Sequence, residues 1–259
     1  MSFTTVNYLI WIAVFTCSLT ASILIWRQHS LVYLRFFVAY TFFECIDYAL
    51  SLILYELSAI RALPQSWYVG CFWVLLFLEY ALQVGVIYQL FHTLLKSYKI
   101  LPDRAFHVFV AGCVAIVMIS TIIVMREPTS FSAKLATIGV DIMLSFNLLG
   151  CAACFFIVAF ASALGLPRRH FIVGIALGIG LINLGVLVTL AIASRYGMNS
   201  YGAIKHMPEL IYLCSTLIWI DYFRRNELER VPLHPQMLGA LQKLKRALDF
   251  VFTFAVNKP

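Results

Sequence analysis

Residues 31–55 read LVYLRFFVAYTFFECIDYALSLILY. No basic residue follows Arg35 in this run. It is long enough to cross a bilayer core as a helix, which takes about 20 apolar residues. Glu44 and Asp47 stand inside it, three positions apart and therefore on one helical face. Acids at membrane depth are costly; they face a bundle interior, a cavity or one another. This stretch therefore sets the fold class and the place to look for function.

Outward from it, six further apolar runs complete a set of seven: Tyr8–Trp26, Leu31–Tyr55, Trp67–Leu95, Phe106–Met125, Leu135–Leu164, Phe171–Ala193 and Met207–Phe223. The 259-residue chain is 62% hydrophobic and 12% charged, about half the charged share of a soluble domain. The expected fold is all-α and polytopic, with a seven-helix transmembrane domain over 1–223 and a cytoplasmic juxtamembrane tail over 224–259. No basic stretch precedes the first run, so a cleaved signal peptide is not expected.

The net charge of +7 is spread over the ends of these runs, which argues against nucleic acid as a partner. One side collects Arg27, Arg35, Lys96, Lys99, Arg104, Arg168 and Arg169, and then the basic tail; the other holds Arg61, Arg126, Lys134, Arg195 and Lys205. The positive-inside rule then places the N-terminus outside and the C-terminus in the cytoplasm. Trp26, Tyr33, Tyr55, Trp67, Tyr68, Tyr98, Tyr196, Trp219 and Tyr222 mark run ends and read as interfacial belts. All seven cysteines lie in or beside apolar runs and read as packing residues, Cys151-x-x-Cys154 included, because no βαβ context accompanies it.

Gly174 and Gly178 form a small-xxx-small pair that lets another backbone approach, within the chain or in a homo-oligomer. In the tail, Leu241, Leu244, Leu248 and Val251 recur at helical spacing, with Lys243, Lys245 and Arg246 off that stripe. This predicts an amphipathic helix on the cytoplasmic leaflet, its bases near anionic lipid, or one docking a membrane or cytoplasmic partner. No soluble output module follows the last run, so any output would pass through a separate protein.

The polar residues at depth define the candidate site. Adjacent antiparallel spans put Glu44 and Glu79 at similar depth, with Asp47 and Gln83 one turn away; Asn147 and Asn183 lie near the centres of the fifth and sixth runs. Glu44, Asp47, Glu79, Gln83, Asn147 and Asn183 are the candidate ligand-binding residues. No Lys or Arg sits at mid-depth to neutralise the acids. Protonation, shared protons, a bound cation or a hydrated cavity would each satisfy them. The plainer reading is hydrogen bonding between helices. Asp221, beside Arg224 and Arg225, reads as a local ion pair.

Other chemistries find no support. The last run has no interior lysine for a retinal Schiff base, and the six histidines sit near run ends rather than as paired haem ligands. Phosphate-loop and nucleophile-elbow motifs are missing, as is an internal repeat. No metal site and no cofactor is expected.

Three stretches carry a resemblance: Val86–Phe91 leading into the basic turn Lys96–Lys99, His170–Gly178, and Leu217–Tyr222. Together they resemble an uncharacterised family of bacterial seven-helix integral membrane proteins of about this length. The resemblance implies a bacterial inner membrane; it implies no activity and no site residues. Small seven-helix membrane terpene cyclases also use isolated intramembrane acids, a similarity of design without their motifs.

The leading expectation is a non-enzymatic protein that binds a small lipophilic or cationic ligand, or another membrane subunit, beside Glu44, Asp47 and Glu79. The alternative is an acid-catalysed isoprenoid- or lipid-modifying enzyme, with those three acids as proton donor and acceptor and Phe42, Phe43, Tyr48, Phe77 and Tyr80 as cation-stabilising walls. The third is a proton or cation pathway.

Overall fold

The computed structural model describes residues 5–27, 34–59, 64–96, 131–160, 170–196 and 206–224, together with Met118, Ile122, Gly239, Lys243 and Arg246. Among the described residues helices are the only regular secondary structure. The helices are α1 (Thr5–Arg27), α2 (Arg35–Ala59), α3 (Gln65–Lys96), α4 (Phe131–Phe160), α5 (Phe171–Tyr196) and α6 (Met207–Arg224). All but α6 are long and apolar enough to cross a membrane. α6, with 18 residues, carries Glu209, Asp221 and Arg224. Large apolar side chains such as Leu9, Ile12, Leu148 and Phe155 face outward, as lipid-facing residues of an integral membrane protein do. The predicted span Phe106–Met125 lies outside the described residues, apart from Met118 and Ile122, both helical and exposed. Lys245 and most of the predicted tail helix also lie outside them; Lys243 and Arg246 are helical and exposed.

Helix starts are capped locally, which answers the unpaired N–H groups of a first turn. The Leu34 carbonyl accepts from Val38 N–H at 3.0 Å, and Pro64 accepts from Trp67 and Tyr68. Before α5, His170 accepts Val173 N–H with its carbonyl and Ile172 N–H with Nδ1. Gln89 of α3 reaches across to accept Phe36 N–H at 2.9 Å, so α3 caps α2.

The helices form a ring in the order α3, α2, α1, α6, α5, α4. α3 and α4 approach each other less closely than the other neighbours and meet mainly through aromatic side chains: Trp73 lies over Gly139, Tyr80 stacks on Phe146, and Phe91 stacks on Phe156. Those pairs rise together in number, so α3 and α4 run parallel. Elsewhere, chain neighbours are antiparallel: Phe36 meets Gly85 and Gln89 while Tyr40 meets Gln83, and Gly174 meets Tyr222 while Gly185 meets Ile211.

α5 is the most enclosed helix, with 56% of its apolar window buried against 28% for each of the other four apolar helices. Its glycines are the reason. A Cβ at Gly174 would strike Tyr222, and one at Gly178 would strike the Trp219 indole. Both glycines are thus occupied within the chain, by α6. The Trp219 ring fills this hole and meets Phe37 at 5.2 Å and Tyr40 at 6.1 Å, edge to face. Phe37 in turn stacks on Phe223. Trp219 was expected at the interface; it is instead 1% exposed, because a glycine opposite makes room for the largest side chain. Core hydroxyls bond back to their own helix: Ser18 to the Val14 carbonyl, Ser22 to Ser18, Thr216 to Tyr212. They can therefore face the core without an orphaned group.

Candidate functional site

α2 presents one polar stripe to the ring's interior: Tyr40, Glu44, Asp47 with Tyr48, Ser51 and Tyr55, recurring at the three- and four-residue helical spacing. Antiparallel packing carries Glu79 and Gln83 of α3 to the same level. Gln83 Nε2 donates to Glu79 Oε1 at 3.0 Å and to the Tyr40 hydroxyl at 3.4 Å. Tyr40 and Tyr212 lie within hydrogen-bonding reach of the Glu44 carboxyl, and Tyr212 reaches Ser18 of α1. A polar network thus runs from α3 through α2 to α6 and α1. One Glu44 oxygen, Oε1, is buried and has no hydrogen-bond partner.

Beside this network opens a cavity of about 320 Å³ lined by Glu44, Asp47, Glu79 and Glu209. The size falls within the range of small-molecule sites, about 300–1,000 Å³. Its aromatic walls are Trp11, Tyr48, Tyr55, Tyr68, Phe72 and Tyr212. Tyr48 is held by Trp11 at 5.7 Å, edge to face, and by Tyr212 at 5.2 Å. Among the described residues no Lys, Arg or His lines it. The lining runs from mid-helix to the first turns of α3 and α6 and to Tyr55 near the end of α2, so the cavity extends toward the end of the bundle that holds the start of α1. At the opposite end Arg27, Arg35 and Arg224 are exposed. Between that end and the acids stand Trp219, Phe37 and Phe223, all buried. Among the described residues the cavity's lining does not extend past them.

Of the sequence-predicted residues, Glu44, Asp47 and Glu79 share the cavity, and Gln83 backs it. Asn147 does not reach it; its amide donates to the Tyr80 hydroxyl and to the Met143 carbonyl, both at 2.7 Å, linking α4 to α3. Asn183 faces the other way, against Gly150 of α4, and neither polar atom of its amide has a partner. Rotation about the α5 axis decides this, and an apolar helix gives no periodic cue to it. Among the aromatic walls expected for an enzyme, only Tyr48 lines the cavity. Phe42 packs on Trp26, Phe77 is exposed, and Tyr80 stacks on Phe146. Glu209, Tyr212, Trp11, Tyr55, Tyr68 and Phe72 are among the lining residues that sequence reasoning left out of the site. The three-residue spacing of Glu209 and Tyr212 on one face of α6 was the available signal.

Among the described residues no group of three or more His, Cys, Asp and Glu side chains is arranged to hold a metal ion. The acids line a space instead of converging on a point. Known protein families, curated proteins and solved structures were compared with the chain, and none matches.

Proposed function

We propose that this is a seven-helix membrane protein that binds a small organic cation in the cavity between α2, α3 and α6. The observation that carries the reading is the cavity's lining: among the described residues it has four carboxyl side chains and six aromatic rings, and no basic side chain. A bound cation favours the ionised form of these carboxyl groups, and attraction between unlike charges is strong in a low-dielectric setting. Aromatic faces add roughly 0.5–2 kcal/mol each to cation binding. The unpaired Glu44 Oε1 leaves an acceptor for an ammonium N–H or its hydration.

Seven spans are supported by the parallel course of α3 and α4: the chain between them has to return from one end of the bundle to the other, and Phe106–Met125 is an apolar stretch of the right length. The exposed Arg27, Arg35 and Arg224 at one end support the orientation with that end in the cytoplasm and the cavity opening outward. The resemblance to bacterial seven-helix membrane proteins supports an inner-membrane location. A contact between the tail and lipid or a partner protein remains part of this reading, motivated by Lys243, Lys245 and Arg246.

An acid-catalysed isoprenoid-modifying enzyme would favour a closed apolar chamber around Glu44, and a proton or cation pathway a polar file continuing to the far end. The aromatic packing of Trp219, Phe37 and Phe223 beneath the acids favours binding over passage.

The test uses the full chain in phosphatidylcholine nanodiscs, titrated with benzyltrimethylammonium and, separately, with benzenesulfonate. Saturable binding of the cation alone is expected, with Glu44→Gln plus Glu79→Gln weakening it at least about tenfold. Equal binding of both probes, or no effect of the double substitution, rejects the proposal.

A further inference from the structure

A second concavity lies on the other side of the α2–α3 seam. A groove of about 640 Å³ faces outward between the two helices, lined by Leu50, Leu54, Trp67, Gly70, Cys71 and Val74. The residues alternate across the seam. Leu50 and Leu54 line the groove while Ser51 and Tyr55 line the cavity; on α3, Cys71 lines the groove while Phe72 lines the cavity. The groove and the cavity therefore lie on opposite sides of the α2–α3 seam. Toward the basic end the same two helices close up: Gly85 lets Phe36 lie so near that an added Cβ would come within 2.6 Å of its ring, and Gln89 caps α2. α2 and α3 thus clamp together at one end and enclose space on both sides of their seam at the other.

We infer that the bound cation is amphiphilic: a single-chain amine or quaternary ammonium whose head sits among Glu44, Asp47 and Glu79 and whose hydrocarbon chain lies in the α2–α3 groove. This rests on the cation-binding reading above and names its substrate class. Charge selects this occupant. A phospholipid would bring its phosphate against Glu44, Asp47 and Glu79, whereas a cationic head meets them favourably and a saturated chain matches a lining of Leu, Val, Cys and Trp. The bilayer itself would deliver the ligand sideways, its chain passing between α2 and α3.

Gly70 provides the test. It is exposed in the groove, and a Cβ placed there meets nothing within 4 Å. Gly70→Leu therefore fills the groove without strain, and replaces glycine in a helix by a better helix former. A dodecyltrimethylammonium with a diazirine at the chain end is photolysed with the full chain in nanodiscs, and the labelled peptides are mapped by mass spectrometry. Labelling within 50–54 or 70–75 is expected, displaced by excess unmodified dodecyltrimethylammonium and reduced at least about fivefold in Gly70→Leu. Binding of benzyltrimethylammonium by that variant stays within about twofold. Label that falls elsewhere, resists competition or survives Gly70→Leu overturns the inference. If the short cation binds normally in those cases, only the groove assignment falls; if the short cation fails to bind the native chain, the cavity reading falls with it.

Discussion

The Gln83 amide donates to the Tyr40 hydroxyl at 3.4 Å, across the α2–α3 seam and beside two acids. Because Tyr40 accepts from Gln83, its own hydrogen is left for the Glu44 carboxyl within its reach. Gln83 also holds Glu79 at 3.0 Å. One neutral side chain therefore sets the positions of two carboxyl groups on different helices. Side-chain hydrogen bonds within membranes average about 0.6 kcal/mol and reach about 1.7. Gln83→Leu is expected to cost up to a few kcal/mol and lower the Tm by several degrees. Tyr40→Phe combined with Gln83→Leu should destabilise less than the sum of the two, since both break one chain of bonds. Thermal unfolding of the four proteins checks this; strict additivity would mean that the two side chains act separately.

Gly178 and Gly70 predict opposite signs for one substitution. A leucine at Gly178 collides with the Trp219 indole, which is boxed in by Phe37, Tyr40 and Tyr212. Overpacking of this kind costs about 1–3 kcal/mol. A leucine at Gly70 meets open space and gains helix propensity, up to about 1 kcal/mol. Thermal unfolding should rank Gly70→Leu at or above the native chain and Gly178→Leu below it. The Trp219 contribution to fluorescence, isolated by comparison with Trp219→Phe, should change only in the second.

Asn183 carries an amide that is fully buried and without a partner on either polar atom. A buried unsatisfied polar group costs about 1–3 kcal/mol relative to an apolar one of similar shape. Asn183→Leu is therefore expected to raise the Tm, or leave it unchanged, and to leave cation binding untouched, since the residue faces Gly150 and not the cavity. A large loss of stability in this variant would contradict the placement.

The parallel course of α3 and α4 predicts an even alternation of sides when the recrossing stretch is included. Reporter fusions after Lys99, Arg169 and Arg225 should read as cytoplasmic, and fusions after Arg61, Pro128 and Asn199 as external. If the fusions after Lys99 and Pro128 report the same side, seven spans are ruled out.

Two kinds of information separate what was readable in the chain from what was not. Glu44 and Glu79 share a cavity because α2 and α3 are consecutive and antiparallel, so counting residues from a common end gives their depth. Helical extents followed from apolar run length in the same way. Glu209 and Tyr212 join the site only because α6 docks between α1 and α5, a contact between the two ends of the described bundle that no local period encodes. Asn183 turned toward α4 for a related reason: α5 is apolar all round, so its rotation is set by which glycines its neighbours fill. Trp219 looked interfacial from its place near the end of a run. The cue that it belongs in the core lay far away in sequence, at Gly178.

The berth of α1 beside α6 also has a consequence for biogenesis. α1 cannot be covered on this side until α6 has been made, so Ser18, Tyr48 and Glu44 wait, uncovered there, while the helices between are translated. A nascent chain stalled before Met207 would present those groups to lipid or to a membrane chaperone. Quality-control proteolysis is expected to clear such fragments quickly, while the completed chain persists.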